Sequence, residues 1–305
     1  MRRIKFIFIP IVTCLVLCSL QVNAKRVPRF TNVILIGADG FTPEVITSNP
    51  GRYKNIEALM ARGLWTFESR SVLPSSSAIN WKTMLSGAGS EMHGYTEWNS
   101  QVPEVKPVYT DKWGMFPSVF AVVREQMPSA ETGVIFSWEG IKYVYENDAV
   151  NYNDQCKEGD DYQVLKDAAS YISAKKPNLL FVYFSNPDEV GHKYGWCSKE
   201  YNESCDTIDA YVGKLMAVIE SNFDMSKTAV LFSSDHGGVD KGHGGKSMKE
   251  MQTPLIIVGG RLPQNVKMSF PVMRYDTAPT IIDLLGLKEP DEWRGKSVLK
   301  FVQTL

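Results

Sequence analysis

The sequence predicts an α/β fold, with a largely parallel central sheet flanked by helices and one irregular cap excursion. Two observations predict it. Short, nearly continuous apolar runs rich in Val, Ile and Phe recur along the chain, and longer segments with helical spacing lie between them. Unbroken apolar runs are what strands covered on both faces require, because neither side meets water. Strands that alternate with helices build parallel sheets, and ligands then sit beyond the carboxyl ends of the strands.

Taken in order, the chain opens MRRIK and continues FIFIPIVTCLVLCSL to QVNA before Lys25. A basic start, fifteen mostly apolar residues and a V-x-A step read as a secretory signal peptide, residues 1–24, cut after Ala24. A spanning helix needs roughly 20 apolar residues, and Pro10 interrupts this shorter run. Export is therefore expected, to the periplasm or the cell exterior, with no transmembrane anchor after cleavage. The remaining residues, 25–305, form a single expected domain.

The first strand is NVILIGA (32–38), and residues 55–60 read as the first helix. TGVIF (132–136), NLLFVYFS (178–185), TAVLFSS (228–234) and PLIIVGG (254–260) are the other strands. Ile208, Val212, Leu215, Met216 and Ile219 follow helical spacing, and residues 280–285 form a closing helix. The stretch from about 98 to 160 is rich in Trp, Tyr, Pro and acidic residues, and reads as the cap excursion.

Composition narrows the function classes. The 33 Lys plus Arg lose Arg2, Arg3 and Lys5 with the leader, leaving 30 against 34 Asp plus Glu, a net charge of about −4. Nothing in that balance suggests a nucleic-acid partner. Cys156, Cys197 and Cys205 remain after cleavage. Cys197 and Cys205 are near enough in sequence to bridge a loop under oxidising conditions, but connectivity is not legible from sequence and the odd third cysteine argues against a disulfide framework.

The chemistry concentrates at strand ends. NVILIGA runs into Asp39, NLLFVYFS into Asp188 and then His192, and TAVLFSS into Asp235-His236 followed by His243. Carboxylate oxygen and imidazole nitrogen are the ligand set of zinc and similar divalent ions. An Asp at a strand end often caps a helix or turn, yet three of the four histidines follow apolar strands beside aspartates. The glycines at 237, 238, 242, 244 and 245 allow sharp turns and close approach to a ligand. Ser75, Ser76 and Ser77 precede a helix-like stretch that ends at Gly87. A serine there is either a helix cap or a nucleophile at the positive end of a helix.

Together these residues resemble the alkaline phosphatase superfamily, and within it the type I phosphodiesterase / nucleotide pyrophosphatase family. Asp39 in GADGF, Ser77 ten residues before Gly87, His93-Gly94, Asp188 and His192 in NPDEVGHKYG, Asp235-His236 and His243 in GHGG carry the resemblance. YDTAPTIIDLLGL (275–287) is similar to the superfamily's closing segment.

The resemblance implies two zinc ions. Asp188, His192 and His243 would hold one, and Asp39, Asp235, His236 and the Ser77 oxygen the other. It implies a structural His93, Ser77 as catalytic nucleophile, and Asn99 in HGYTEWNS as a second catalytic residue that steadies a phosphoryl oxygen, one residue later than the family's spacing. The implied activity is that of an exported metal-dependent phosphoric ester hydrolase, a phosphodiesterase or nucleotide pyrophosphatase acting through a phosphoserine. An alkaline-type phosphomonoesterase and a non-catalytic metal- or ligand-binding homologue are the alternatives. Two features depart from the family. Its diesterases mostly use Thr where Ser77 stands, and the Cys-x-Pro-x-Arg or Ser-x-Pro-x-Arg signature of the sulfatases is missing. The expected partner is a small phosphate ester, a nucleotide or a lipid head group. Trp98, Trp113, Phe116 and Trp138 would either stack on it or simply pack the cap, and SWEG (137–140) is similar to an element near the nucleotide pocket of the diesterases. No arginine is obviously placed to clamp a phosphate dianion, with Arg52, Arg62 and Arg70 the ones to check.

Overall fold

A computed structural model describes residues 30–302 of the protein. The signal peptide read at residues 1–24 lies outside the described residues. Nine strands form one sheet: β1 (Asn32–Ala38), β2 (Gly63–Arg70), β3 (Thr132–Phe136), β4 (Tyr152–Gln155), β5 (Leu179–Phe184), β6 (Thr228–Ser233), β7 (Gln252–Gly259), β8 (Val266–Lys267) and β9 (Val272–Met273). Their order is β4-β3-β5-β1-β6-β7-β2-β8, with β9 also on β2. The helices are α1 (Glu44–Ser48), α2 (Lys54–Arg62), α3 (Ser77–Ser86), α4 (Ser90–His93), α5 (Val119–Gln126), α6 (Asp161–Lys175), α7 (Asp188–Tyr194), α8 (Lys199–Asn222), α9 (Met248–Met251), α10 (Thr277–Leu284) and α11 (Leu299–Val302).

Every residue of β3, β5 and β6 is buried, which accounts for their unbroken apolar sequences. One face of the sheet packs against α3, α5 and α10 through Trp81, Phe120 and Ile281. The other packs against α2, α6 and α8 through Ile56, Ile172 and Val212. The apolar spacing read at 208–219 becomes the buried stripe of α8, and the Ser198 side chain caps that helix by accepting from the Tyr201 amide.

Five strands, β4-β3-β5-β1-β6, run parallel, whereas β7 runs antiparallel to both β6 and β2. Direction is invisible in an apolar run. It is fixed by the connection: residues 234–251 form a loop and the short α9, which make no crossover, so the chain re-enters beside β6 in the opposite sense. The cap excursion is also less irregular than its composition suggests. Residues 119–136 and 152–155 give α5, β3 and the edge strand β4, leaving irregular chain mainly on either side of α5 and β3. The polar residues of YNDQ fit β4 because it lies at the sheet edge, half open to water.

Cys156, Cys197 and Cys205 are free thiols. Cys205 is buried on the inner side of α8, whereas Cys197 is exposed before the helix begins. Among the described residues no helix is long and apolar enough to cross a membrane.

Candidate metal centre and nucleophile

The three central neighbouring strands β5, β1 and β6 end together, and their carboxyl ends carry the site. Asp39 follows β1, Asp188 opens α7 after β5, and Asp235-His236 follow β6. α3 approaches from the other side with Ser77 as its first residue, and the 239–247 loop returns His243 over the cluster. Glu250 ties this loop down, accepting from the Gly245 amide at 2.8 Å and the Ser247 hydroxyl at 2.6 Å.

Ser77 Oγ lies 3.1 Å from His236 Nε2. His236 Nε2 is also 3.4 Å from Asp39 Oδ1 and 3.2 Å from Asp235 Oδ2. His192 Nε2 stands 3.4 Å from Asp188 Oδ2 and 3.1 Å from His243 Nε2, and His243 Nε2 is 3.7 Å from Asp188 Oδ1. The structure thus brings together all six aspartates and histidines singled out in the sequence, together with Ser77. Potential ligand atoms of Asp39, Asp235 and His236 fall within 4.8 Å of one another, as do those of Asp188, His236 and His243. The first trio matches the expected grouping. The second has His236 in the place expected for His192, which meets Asp188 through the other carboxylate oxygen.

The three site histidines share one arrangement. Nδ1 of His236, His192 and His243 sits 2.8, 3.0 and 2.9 Å from the backbone carbonyls of Gly237, Lys241 and Ser75. A carbonyl only accepts, so each Nδ1 carries a proton; burial keeps His236 and His243 neutral with the Nε2 lone pair aimed into the site, whereas Asp188 favours a proton on Nε2 of His192 until a cation takes its place. Nε2 of His192 and Nε2 of His243 stand 3.1 Å apart, with the Asp188 carboxylate beside both. Three buried carboxylate oxygens, Asp39 Oδ1, Asp188 Oδ1 and Asp235 Oδ2, have no hydrogen-bond partner. Leaving even one buried carboxylate uncompensated costs several kcal/mol. A divalent cation answers that deficit, since it binds anionic oxygen and imidazole nitrogen alike.

The electrostatics follow. Burial, with the like charges of Asp235 and Asp188, holds the Asp39 carboxyl well above the usual range. Burial and Asp188 push Asp235 up to about 8, while burial and His243 push His236 down to about 3. Burial works against ionised Asp188 too, but the His192 hydrogen bond and the neighbouring imidazoles outweigh it and hold Asp188 low.

Two supports were not legible in the sequence. Asp39 Oδ2 accepts from Tyr183 OH at 2.6 Å and Trp81 Nε1 at 3.0 Å, which turns Oδ1 toward His236. Tyr183 sits in a run that reads as a buried strand and Trp81 in a helix-like stretch, and neither reading assigns the ring a polar partner. The signal available for Trp81 was its place four residues after Ser77, on the same side of a helix. The loop glycines 237 and 238 serve protein packing rather than ligand approach: a Cβ at Gly237 would lie 2.1 Å from the Lys249 carbonyl oxygen, and at Gly238 2.2 Å from the Trp196 ring.

The serines separate by role. Ser75 Oγ donates to the Gly245 carbonyl, Ser76 stands at the N-cap without a capping bond, and Ser77 Oγ faces His236. His93 is buried away from the cluster. It accepts from the Tyr95 amide through Nδ1 and meets Thr83 Oγ1 through Nε2, as expected of a structural histidine. Asn99 is not brought in. It is exposed on the turn beside Trp98, whose carbonyl accepts from the Ala78 amide of α3.

A cavity of about 220 Å³ opens onto Asp39, Ser77, Asp188 and His243, with Trp98 and Trp138 in its wall. Trp113 and Phe116 instead pack against the core. Arg52 pairs with Asp206 and Arg62 with Glu220, Arg70 is exposed, and none of the three lines the cavity. Three larger surface grooves, of 390 to 540 Å³, contain none of the proposed ligands.

Comparison with known proteins agrees with this geometry. Venom phosphodiesterase 2 of Crotalus adamanteus is 26% identical over 222 residues, 67% of this chain and 26% of that protein. Arylsulfatase K of Danio rerio is 30% identical over 107 residues, 33% of this chain and 20% of that protein. The chain thus spans about a quarter of these relatives' length. The solved structure of murine ectonucleotide pyrophosphatase / phosphodiesterase 5, an inactive form in complex with AMP, superposes with a TM-score of 0.71 at 14% identity, covering 91% of this chain and all of that one. The family model described as type I phosphodiesterase / nucleotide pyrophosphatase matches residues 33–248, a span that takes in Asp39, Ser77 and every histidine of the site. The chain belongs to the type I phosphodiesterase / nucleotide pyrophosphatase family, within the alkaline phosphatase superfamily.

Proposed function

We propose that the protein is an exported, metal-dependent phosphodiesterase or nucleotide pyrophosphatase that works through a phosphoserine at Ser77. One observation carries the reading: three unpartnered buried carboxylate oxygens and three imidazole Nε2 atoms converge beside a serine hydroxyl. Asp39, Asp235 and His236 would hold one divalent ion and Asp188, His192 and His243 a second, with zinc the best fit to these donors. When bound, the ions lower the pKa of the serine hydroxyl and offset charge on the departing oxygen.

The chain's own residues supply the rest. Ser77 Oγ attacks phosphorus from the positive end of α3, the alcohol leaves, and the phosphoryl group is carried as a serine ester. Water then displaces Ser77 Oγ, so two inversions give net retention at phosphorus. His236 Nε2 accepts from Ser77 Oγ in the resting arrangement. The arginine-free cavity favours a diester, with its single negative charge, over a monoester dianion. Residues 1–24 support the export part of the reading.

The test is a comparison of bis(p-nitrophenyl) phosphate with p-nitrophenyl phosphate, before and after chelation and after zinc is restored. The diester should be the better substrate, with turnover lost on chelation and recovered with zinc. Faster turnover of the monoester would instead favour the phosphomonoesterase, and turnover of neither by the zinc-loaded protein would favour a binding protein.

A further inference from the structure

Arg274 lies between β9 and α10, and the mechanism above gives it no role. Among the described residues it is the one arginine wholly out of water. A buried charge is ordinarily matched by an opposite one, yet every hydrogen bond of this guanidinium goes to a neutral hydroxyl, and among the described residues it forms no salt bridge. Nη1 donates to Ser233 Oγ at 2.6 Å, and Nη2 donates to Ser69 Oγ at 3.0 Å and to Thr253 Oγ1. Nε has no partner. The three hydroxyls belong to three strands, β6, β2 and β7, and two of those strands lead to Asp235. Ser233 ends β6, two residues before it. Ser69 stands two residues before Ser71, whose hydroxyl donates to the Asp235 carbonyl. The β2–β7 register slips between Thr66 and Ser69, so the ladder by itself does not fix this end of β2; Thr253, opposite Ser69, ties it down by donating to the Ser69 carbonyl at 3.3 Å. One planar fork of donors thus grips both segments that meet at Asp235. The other half of the centre is held from elsewhere. Asp161 accepts from the Ser185 and Asn186 amides at 2.9 and 3.0 Å, just before Asp188, and Glu250 fixes the loop that carries His243.

We infer that Arg274 is a positioning residue for one half of the metal centre: bound to Ser69, Ser233 and Thr253, it sets the turn that carries Asp235 and His236, and it leaves the half formed by Asp188, His192 and His243 to other supports. The inference rests on the two-ion reading and adds a residue to it. Through His236, the same turn also faces Ser77 Oγ. A lysine could keep the charge but not the grip, because a single ammonium on a flexible stem does not reproduce a rigid fork that spans three strands.

The experiment measures zinc affinity, by competition with a chromogenic chelator, in two single-site backgrounds. D188A/H243A keeps Asp39, Asp235 and His236, and D39A/D235A keeps Asp188, His192 and His243. In the first, R274M should weaken zinc binding by about 10- to 100-fold, and R274K should recover part of that loss. In the second, both variants should stay within about threefold of their parent, as substitutions at independent sites do. R274M exchanges a buried ion for an apolar chain of similar length, a kind of change that is often tolerated, and thermal unfolding checks the fold. Should R274M not fold, R274K is read alone, with a loss of at least about threefold expected in the first background only. Equal losses in the two backgrounds would mark a general loosening and overturn the inference, as would no loss in either, and both results leave the two-ion reading standing. Failure of the unsubstituted protein to bind zinc overturns both.

Discussion

At Asp39 the two carboxylate oxygens have separate jobs: Oδ2 is held by Tyr183 and Trp81, and Oδ1 is left bare beside His236. Partners of this kind, behind a metal ligand, are worth about 10- to 100-fold in affinity. Tyr183→Phe should therefore weaken zinc binding by about that factor in competition with a chromogenic chelator, and an unchanged affinity would show that Oδ1 needs no such anchoring. Ser77→Ala should behave in the opposite way. It removes the proposed nucleophile but no carboxylate or imidazole, so turnover should fall by at least about a thousandfold while the zinc content measured by elemental analysis stays near that of the wild type. Normal turnover by the alanine variant would remove serine from the chemistry. The clustered aspartates and histidines were legible as candidate ligands because such residues are costly at buried strand ends and stand out against apolar runs. Tyr183 and Trp81 were not, because an aromatic ring in a strand or helix reads as packing until its polar atom is seen to have a partner.

The elements hold these side chains through the turn that follows β1. Gly40 has φ +64°, and a Cβ there would come within 2.8 Å of Asp188 Oδ1. The Gly40 carbonyl accepts from Tyr201 OH at 2.6 Å and Trp196 Nε1 at 3.0 Å, so α8 and the segment before it clamp the turn. Gly40→Ala meets both a left-handed backbone and a clash with a proposed ligand. It should cost about 1–3 kcal/mol in denaturant unfolding and lower zinc affinity as well; loss of stability with full affinity would mean that the turn does not position Asp188. Element by element, the buried strands and α8 were legible from period and length. The sense of β7 was not, because it is set by a connection with no crossover. β4 was hidden too, since an edge strand needs no apolar run.

The whole molecule concentrates uncompensated charge at one end of its sheet, and its stability without metal should report that. Asp235 has a folded pKa of about 8 against 3.8 for the free group, so the folded state holds a proton that the unfolded chain has released, and stability falls as pH rises between those values. His236, moved from 6.5 to about 3, acts in the opposite sense and only below pH 6.5. The two oppose each other between about pH 4 and 6.5, and above 6.5 the Asp235 term stands alone of the two, reinforced by the raised Asp39 and His192. At about 1.4 kcal/mol per pH unit, Asp235 by itself removes about 2 kcal/mol between pH 6.5 and 8. The chelated protein should thus melt at a lower temperature at pH 8 than at pH 6.5, and zinc should raise its Tm more at pH 8, because ligands must be deprotonated to bind. A chelated protein whose Tm is flat or rising over that range would contradict the charge assignment.

Metal stoichiometry in the purified protein tests the central claim most directly. The account predicts two zinc equivalents per chain on saturation, one after Asp188 and His243 are both replaced by alanine, and diester hydrolysis only in the fully loaded form. Undetectable zinc in a folded protein that still cleaves diesters after exhaustive chelation would contradict it.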